Sequence, residues 1–323
     1  MRTVSRPGIQ VRGERIVPID DTVVKEERFT LFVNDTRMLE LVASRNELAE
    51  LGAGFVICQG LSRRVDSVVV QGSEIRVSAP MEESFAREIE TTGSVGFVSR
   101  MPEPVLSDYS ITISDVFAIT REIETDLWRQ TGGVHCSVLA HEGRILIRSS
   151  DVGRHNTVDK VIGHAVQNGI PRSACVVGCT GRQPRDMVIK YAHAGIPIII
   201  SRAATTDRGI AAAEELGITL ICFSRGDRFT VYTHPYRVSD LGYTPTPRPV
   251  PEGKPISGAP GNRRCTEHDA DTTGCEGCGP GYGMPAGPGP DRHCALPAPC
   301  APEKRGEVTR CREQGGPSPP RGR

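Results

Sequence analysis

The chain has 323 residues, and its 39 basic and 39 acidic side chains balance. A balanced charge argues against a nonspecific nucleic-acid binder, which carries a basic excess. No apolar run reaches the roughly 20 residues that a membrane-spanning helix needs, and residues 1–15 contain no apolar segment typical of a secretory signal. We therefore expect a cytoplasmic protein that binds neither nucleic acid nor membrane.

Composition and periodicity divide the chain into four predicted regions. A flexible N-terminus is expected over residues 1–14, a β-rich α+β domain over 15–105, an α/β domain over 106–238 and a disordered tail over 239–323. The tail holds 16 of the 25 prolines. Such a segment has too few large apolar side chains to offset the entropy of ordering, which is why disorder is predicted there.

The N-terminal domain is predicted to contain strands around one helix. Residues 22–34 alternate like a strand, and Asn34-Asp35 then forms a turn. Ser44 with Glu47 three residues later predicts a capping box that opens a helix. Residues 65–72 and 73–80 are typical of a β-hairpin.

The second domain alternates predicted strands and helices. SACVVGC (173–179), IPIIIS (196–201) and ITLICFS (218–224) are almost continuously apolar, as expected for strands that are covered on both faces. The predicted helices lie at 114–130, 156–169, 183–195 and 206–217. This alternation predicts parallel crossovers and a three-layer α/β sandwich. Ligands of such folds bind at loops that follow the strands.

One of these loops, in residues 149–165, carries an unusual amount of charge. Gly153 permits a tight turn, and Arg154 and His155 then open a helix, whose free N–H groups favour anions. We interpret the run as an anion-binding segment in which Asp151 and Asp159 orient the cations. The alternative is structural: Asp151 caps the helix, and Arg154 pairs with a neighbouring loop.

Three further loops follow predicted strands in the same way. The loops at 178–187 and 223–229 contain Arg182, Arg225 and Arg228, and residues 201–209 form the third. Arginine is suited to bidentate contacts with phosphate, so the set predicts a large ligand that bears phosphates. The sequence contains no P-loop, no dinucleotide-binding glycine motif, no nucleophile elbow and no zinc-deaminase motif.

Taken together, these segments resemble the FdhD family of formate dehydrogenase accessory proteins. The resemblance rests on TGGVHCSVL (131–139), DVGRHNTVDKVIG (151–163), AGIPIIIS (194–201) and GITLICFSRGDRFTVY (217–232), and it covers about residues 15–238. It implies a cytidine-deaminase-like α/β fold, a cytoplasmic location and a homodimer.

The resemblance also implies a role in which sulfur from a cysteine desulfurase passes to the molybdenum bis-guanine-dinucleotide pterin cofactor before the cofactor enters the catalytic subunit of formate dehydrogenase. The family segment that contacts the cofactor matches Phe223, Ser224, Arg225, Gly226, Asp227 and Arg228. We expect Arg225 and Arg228 to bind cofactor phosphates. The chemistry of the other loops adds Arg154, His155 and Arg182 as further contacts.

The sequence departs from the family at the residues that carry sulfur. Family members have a Cys-Gly-x-Cys-Gly motif, whereas the aligned loop here has Gly93, Ser94, Val95 and Gly96. A serine hydroxyl cannot replace a thiolate in a persulfide relay.

Three explanations remain open. The carrier can be another thiol, either Cys136, whose neighbour His135 would lower its pKa, or the tail pair Cys275 and Cys278 in the sequence CEGCG. The tail can instead bind zinc or an iron–sulfur cluster, with these candidate ligands: Cys265, Cys275, Cys278 and Cys294. The third explanation is a protein that binds the cofactor as a chaperone without transferring sulfur.

Overall fold

A computed structural model describes residues 3–81 and 101–244 of the chain. The strands are β1 (Thr3–Arg12), β2 (Arg15–Val24), β3 (Glu27–Val33), β4 (Thr36–Ala43), β5 (Ser67–Gln71), β6 (Glu74–Ser78), β7 (His135–His141), β8 (Arg144–Asp151), β9 (Cys175–Cys179), β10 (Ile198–Ser201), β11 (Thr219–Arg225) and β12 (Arg228–Val231). The helices are α1 (Leu48–Cys58), α2 (Ile113–Glu122), α3 (Asp126–Thr131), α4 (Arg154–Gln167), α5 (Arg185–Ala194) and α6 (Asp207–Glu215).

The N-terminus forms a two-stranded hairpin rather than the flexible segment predicted over 1–14. β1 pairs antiparallel with β2 along its whole length, from Thr3 opposite Val24 to Arg12 opposite Arg15. Gly13 has a positive φ of 60° in the connecting turn, a conformation that glycine adopts without steric cost. The glycine turn and the β-branched residues of both strands, among them Val4, Ile9, Val17 and Ile19, favour the hairpin.

The next four strands form a sheet in the order β4-β3-β6-β5. The predicted hairpin of β5 and β6 is confirmed, as is the turn at Asn34 and Asp35, which both have positive φ. The predicted strand over 22–34 is divided, because the chain leaves β2 at Val24 and enters a different sheet at Glu27.

The predicted capping box at the start of α1 is wrong. Glu47 itself is the N-cap residue, in a left-handed conformation and without a side-chain cap bond. Its carboxylate accepts a hydrogen bond from the Ser149 hydroxyl. Ser44 is buried and uses its backbone, not its side chain, to contact Asp151 and Lys160. Long-range bonds to the second sheet therefore displace the local cap.

The second sheet has six strands in the order β12-β11-β10-β9-β7-β8. The parallel pairing predicted from the apolar strands is confirmed, since β10 is parallel to both β9 and β11. The predicted helix over 114–130 divides into α2 and α3, and Thr112 caps α2 with a true capping box.

Helices cover both faces of the six-stranded sheet. Successive residues of a strand point to opposite faces, and those of β10 alternate between two hydrophobic clusters: Ile199 packs with α4, α5 and α6, whereas Ile198 and Ile200 pack with α2. The arrangement is a mixed α/β fold with buried strands at its centre.

Helix α1 packs against the four-stranded sheet and also against α4. Phe55 and Leu51 belong to the core of the N-terminal sheet, whereas Ile57 belongs to the core beneath α4. Glycines allow α1 and α4 to approach closely: a Cβ at Gly54 would lie 1.7 Å from the carbonyl oxygen of Asp159, and one at Gly163 would lie 1.9 Å from that of Glu50.

Ordered structure continues past the predicted start of the tail at residue 239. Ser239–Leu241 form a 3-10 turn, and Asp240 accepts hydrogen bonds from the backbone N–H of Ile113 at the start of α2. The boundary was therefore predicted too early, although residues 245–323 lie outside the described ranges. No helix within the described ranges is long and apolar enough to cross a membrane.

Candidate functional site

The ends of five strands meet at one edge of the six-stranded sheet. β9, β10 and β11 are parallel and end there, and β7, which is antiparallel to β9, begins there beside the end of β8. The charged loops identified in the sequence follow or precede these strand ends. The sheet topology therefore brings distant parts of the chain together.

A cleft of about 500 Å³ opens at this edge. Its lining residues are Glu124, Trp128, Gly132, Gly133, Val134, His135, Val152, Thr180, Arg202 and Arg225. The size is that of a small-molecule site. Of the predicted cofactor contacts, only Arg225 lines it directly.

The predicted segment 223–228 forms the turn between β11 and β12. Phe223 has a positive φ of 53°, an uncommon and strained conformation for a bulky residue. Ser224 is buried, and its hydroxyl shares a hydrogen bond of 2.6 Å with that of Thr120. Arg225 and Arg228 pair across the turn, and both are exposed. The segment thus presents two exposed guanidinium groups, and that of Arg225 lines the cleft.

Arg225 is held in place by the neighbouring strand end. Its Nε donates a hydrogen bond of 2.7 Å to the carbonyl oxygen of Arg202. The guanidinium of Arg202 lies 2.7 Å from a carboxylate oxygen of Glu124. Three elements are therefore linked at the cleft wall: the α2–α3 connection, the end of β10 and the end of β11.

Arg154 lies next to the cleft, on the side formed by the loop after β9. A Cβ at Gly181 would lie 3.2 Å from that of Arg154, so the two residues are in close contact. The buried Nε of Arg154 has no hydrogen-bond partner among the described residues. Arg182, the next residue of the loop, is exposed.

The two histidines near the cleft are electrically neutral at physiological pH. Burial, together with the charges of Lys190 and Arg154, lowers the pKa of His155 from 6.5 to about 3. Burial and the charge of Arg154 also lower the pKa of His135, whose Nδ1 lies 3.2 Å from the Thr180 hydroxyl. Neither ring therefore supplies positive charge to an anion.

The aspartates of residues 151–160 bind buried lysines rather than the arginines that they were expected to orient. Asp151 and Lys160 are fully buried and 2.6 Å apart. The other Asp151 oxygen accepts hydrogen bonds from the backbone N–H of Gly153 and from Asn156. Asp159 is likewise bonded to Lys190, at 2.7 Å.

The structural alternative for this run is also wrong in detail, since α4 has Gly153 at its N-cap and no side-chain cap bond. Most of the charge in the segment holds the fold together, and Val152 of the cleft wall and Arg154 beside it are the residues that it supplies to the site.

Cys136 is fully buried, with its sulfur 3.2 Å from the Thr125 hydroxyl. His135 was expected to activate it. Because neighbouring residues of a strand point to opposite faces, the imidazole contacts Thr180 instead. All five cysteines in the described ranges are free and buried. Burial also raises the pKa values of Cys58, Cys175, Cys179 and Cys222.

Several predicted site residues lie outside the described ranges. These are Gly93, Ser94, Val95 and Gly96 in the loop, and Cys265, Cys275, Cys278 and Cys294 in the tail. Within residues 3–81 and 101–244, no group of three or more His, Cys, Asp or Glu side chains is arranged to hold a metal ion.

Sequence reasoning missed Glu124, Trp128 and Arg202 as cleft residues. Arg202 follows an apolar strand, as the other predicted arginines do, and that position was a usable signal. Glu124 and Trp128 gave no such signal, because they lie in what looked like one continuous helix.

The fold and the cleft define a mixed α/β protein with an arginine-lined cleft at the carboxyl edge of its parallel strands. The chain belongs to the FdhD/NarQ family, whose model matches residues 24–239.

Two relatives named sulfur carrier protein FdhD share about a third of their residues with this chain. The protein from Wolinella succinogenes is 32% identical over 237 residues, which cover 68% of this chain and 83% of the relative. That from Methanothermobacter thermautotrophicus is 34% identical over 233 residues, covering 68% of this chain and 92% of the relative.

A crystal structure described as that of a formate dehydrogenase accessory protein from Desulfotalea psychrophila is also similar. It is 29% identical, covers 74% of this chain and 100% of its own, and superposes with a TM-score of 0.62.

Proposed function

We propose that this chain binds the molybdenum bis-guanine-dinucleotide pterin cofactor as a client and supplies it with sulfur before the cofactor enters the catalytic subunit of formate dehydrogenase. The observation that carries the proposal is the cleft, in which Arg202 and Arg225 lie side by side at a strand edge, in a family whose members are named sulfur carriers. The cytidine-deaminase-like arrangement of layers and the homodimer are part of the same proposal. Helices on both faces of the six-stranded sheet support the first.

Arg225 and Arg228 are proposed to bind phosphate groups of the client. Both are exposed on one tight turn, and guanidinium groups match phosphate oxygens in a bidentate geometry. Arg154 and Arg182 extend the positive surface on the opposite side of the cleft. When bound, the client provides the metal that receives sulfur, and the protein orients it by its phosphates.

The thiol that carries the sulfur is proposed to be in the tail. A carrier thiolate must attack the outer sulfur of the persulfide on a cysteine desulfurase; the sulfur–sulfur bond breaks, and the desulfurase cysteine leaves as a thiolate. The buried thiols of the described ranges cannot reach such a partner, and residues 82–100 contain no cysteine. Cys275 and Cys278, in CEGCG, are the closest match to the missing motif.

The second candidate function is a chaperone that binds the cofactor without transferring sulfur. The absence of both family cysteines from the aligned loop, which has Gly93, Ser94, Val95 and Gly96, favours it. In that case the tail cysteines serve another purpose, such as binding zinc or an iron–sulfur cluster, and metal analysis of the full chain tests this directly.

Intact-protein mass spectrometry after incubation with a cysteine desulfurase and cysteine separates the two functions. We expect the full chain to gain one sulfur atom, and the double variant Cys275→Ser, Cys278→Ser to gain none. Cys136→Ser is the control that should still gain sulfur. A wild-type chain that binds the pterin cofactor but gains no sulfur would establish the chaperone instead.

A further inference from the structure

Glu124 places a carboxylate in the wall of a cleft that is otherwise suited to anions. We infer that Glu124 selects guanine over adenine by accepting hydrogen bonds from the edge of the base. This inference rests on the proposed function, which brings a guanine nucleotide to the cleft, and it names the residue that reads the base.

The geometry leaves part of this carboxylate available for a ligand. Glu124 is 17% exposed, and its Oε1 lies 2.7 Å from an Nη of Arg202. Its Oε2 accepts no hydrogen bond from residues 3–81 or 101–244. An ionised carboxylate only accepts hydrogen bonds, at about four lone-pair positions on two oxygens. Two donors on one edge of a ligand can therefore be satisfied here together.

Charge limits which part of a nucleotide can face Glu124. Phosphates next to this carboxylate would be repelled, because the Glu124 side chain is largely withdrawn from solvent, where like charges are screened less. Arg225 offers the phosphates an attractive position on the same wall. The part of the nucleotide that faces Glu124 must then be one that donates hydrogen bonds.

Guanine provides that arrangement and adenine does not. Guanine carries adjacent N1–H and N2–H donors on its Watson–Crick edge, which match the two oxygens of a carboxylate. Adenine has an acceptor at N1, whose lone pair would face the carboxylate. Sites that discriminate in this way gain specificity by leaving the wrong ligand unpaired.

Trp128 supports the assignment of Glu124 to the base, and its fluorescence provides a signal for nucleotide binding. It is the only tryptophan in the chain and it lines the same cleft. Aromatic side chains stack on bases regardless of their identity. Its fluorescence should therefore report the binding of any purine nucleotide, whether or not Glu124 recognises the base.

The test measures the binding of GDP, IDP and ADP to the full chain by Trp128 fluorescence and by calorimetry. IDP differs from GDP only by lacking the N2 amino group. We expect wild-type protein to bind GDP at least about tenfold more tightly than IDP or ADP, the effect of a hydrogen bond to a charged group. In Glu124→Gln this preference should fall to less than about threefold, chiefly through weaker GDP binding.

Glu122→Gln is the matched control, because Glu122 is the neighbouring acid and pairs with Arg148 rather than with Arg202. It should retain the wild-type preference. If Glu124 only positioned Arg202, Glu124→Gln would weaken GDP, IDP and ADP by the same factor, and that result would overturn the inference.

Failure of the proposed function has a different signature. Arg225→Ala should weaken all three nucleotides alike, since it removes a phosphate contact. A wild-type chain that binds no GDP, or binds it equally well after Arg225→Ala, would contradict the proposed cofactor site. Binding that depends on Arg225 but shows no preference for GDP would contradict the role of Glu124 alone.

Discussion

Asp151 is the residue on which the charged segment 149–165 depends for stability. Its two oxygens bond the Lys160 ammonium, the backbone N–H of Ser44 and Gly153, and Asn156, and the side chains of Asp151 and Lys160 are fully buried. Removing one member of a buried ion pair leaves the other charge without compensation. Breaking the pair should therefore lower the free energy of unfolding by more than the intact pair contributes to it.

We predict that Asp151→Asn lowers the free energy of unfolding by about 3–5 kcal/mol. Denaturant unfolding of the purified variant measures it. Combining Asp151→Asn with Lys160→Met should recover part of the loss, because no unpaired charge then remains. Asp126→Asn, in an exposed pair with Arg129, should change little. Equal losses in Asp151→Asn and Asp126→Asn would contradict the prediction.

His155 makes stability depend on pH. Its pKa is about 3 in the folded protein and 6.5 when unperturbed, so the unfolded chain binds more protons between these values. The free energy of unfolding must therefore decrease as pH falls from 6.5 towards 3.

We expect His155→Gln to remove one titrating group from this window, so that its stability falls less than that of wild type between pH 6.5 and 4.5. The difference in slope approaches about 1.4 kcal/mol per pH unit, and urea unfolding at several pH values measures it. His193, whose pKa is also lowered, to about 4, should leave a remaining slope. Parallel curves for variant and wild type would show that His155 does not contribute.

The roles of individual charges could not be predicted from the sequence, because they depend on partners far along the chain. Asp151 bonds Ser44, and Lys190 bonds Asp159 from another helix. The sequence shows that charge is concentrated in residues 149–165. Whether a charge faces a ligand or a buried partner is decided only when the two sheets come together.

Elements were predicted better, because their signals are local. The apolar runs of β9, β10 and β11 and the alternating pattern of β5 and β6 were sufficient to assign strands. The break between α2 and α3 was missed, because the connection at Glu124 and Thr125 contains no glycine or proline that would mark the end of a helix. Thr125 caps α3 with its hydroxyl, a signal that threonine gives only weakly.

The contact between α1 and α4 should be intolerant of any side chain at its glycines. A Cβ at Gly54 or Gly163 would overlap a backbone carbonyl of the opposite helix, which cannot move without separating the helices. We predict that Gly54→Ala and Gly163→Ala each lower the free energy of unfolding by at least about 2 kcal/mol, despite the better helix propensity of alanine.

Thermal unfolding of both variants measures the effect, and Gly8→Ala is the control. A Cβ at Gly8 would meet only the Ile19 side chain, at an ordinary 3.7 Å. An increase in melting temperature for Gly54→Ala or Gly163→Ala would mean that the helices are not in close contact.

At the scale of the whole molecule, the sequence predicted two domains but not how α1 joins them. The helix was expected to belong to the N-terminal domain alone. In the structure its residues enter two hydrophobic cores, because its apolar side chains cover more than one face of the helix. A helix that is buried on most sides has to pack against two neighbours at once.

This shared helix predicts that the described parts of the chain unfold together. Leu31 is fully buried in the core of the N-terminal sheet, whereas Trp128 lies at the cleft of the other sheet. Leu31→Ala should cost about 2–5 kcal/mol, and the loss should appear in full when unfolding is followed by Trp128 fluorescence. Far-UV circular dichroism should give the same midpoint, as expected for a single cooperative transition.

Ile9→Ala, at an exposed position of the N-terminal hairpin, should leave the midpoint unchanged. If Leu31→Ala shifted only part of the circular dichroism signal and left the Trp128 transition in place, the two sheets would be independent folding units, and α1 would not couple the N-terminal core to the cleft.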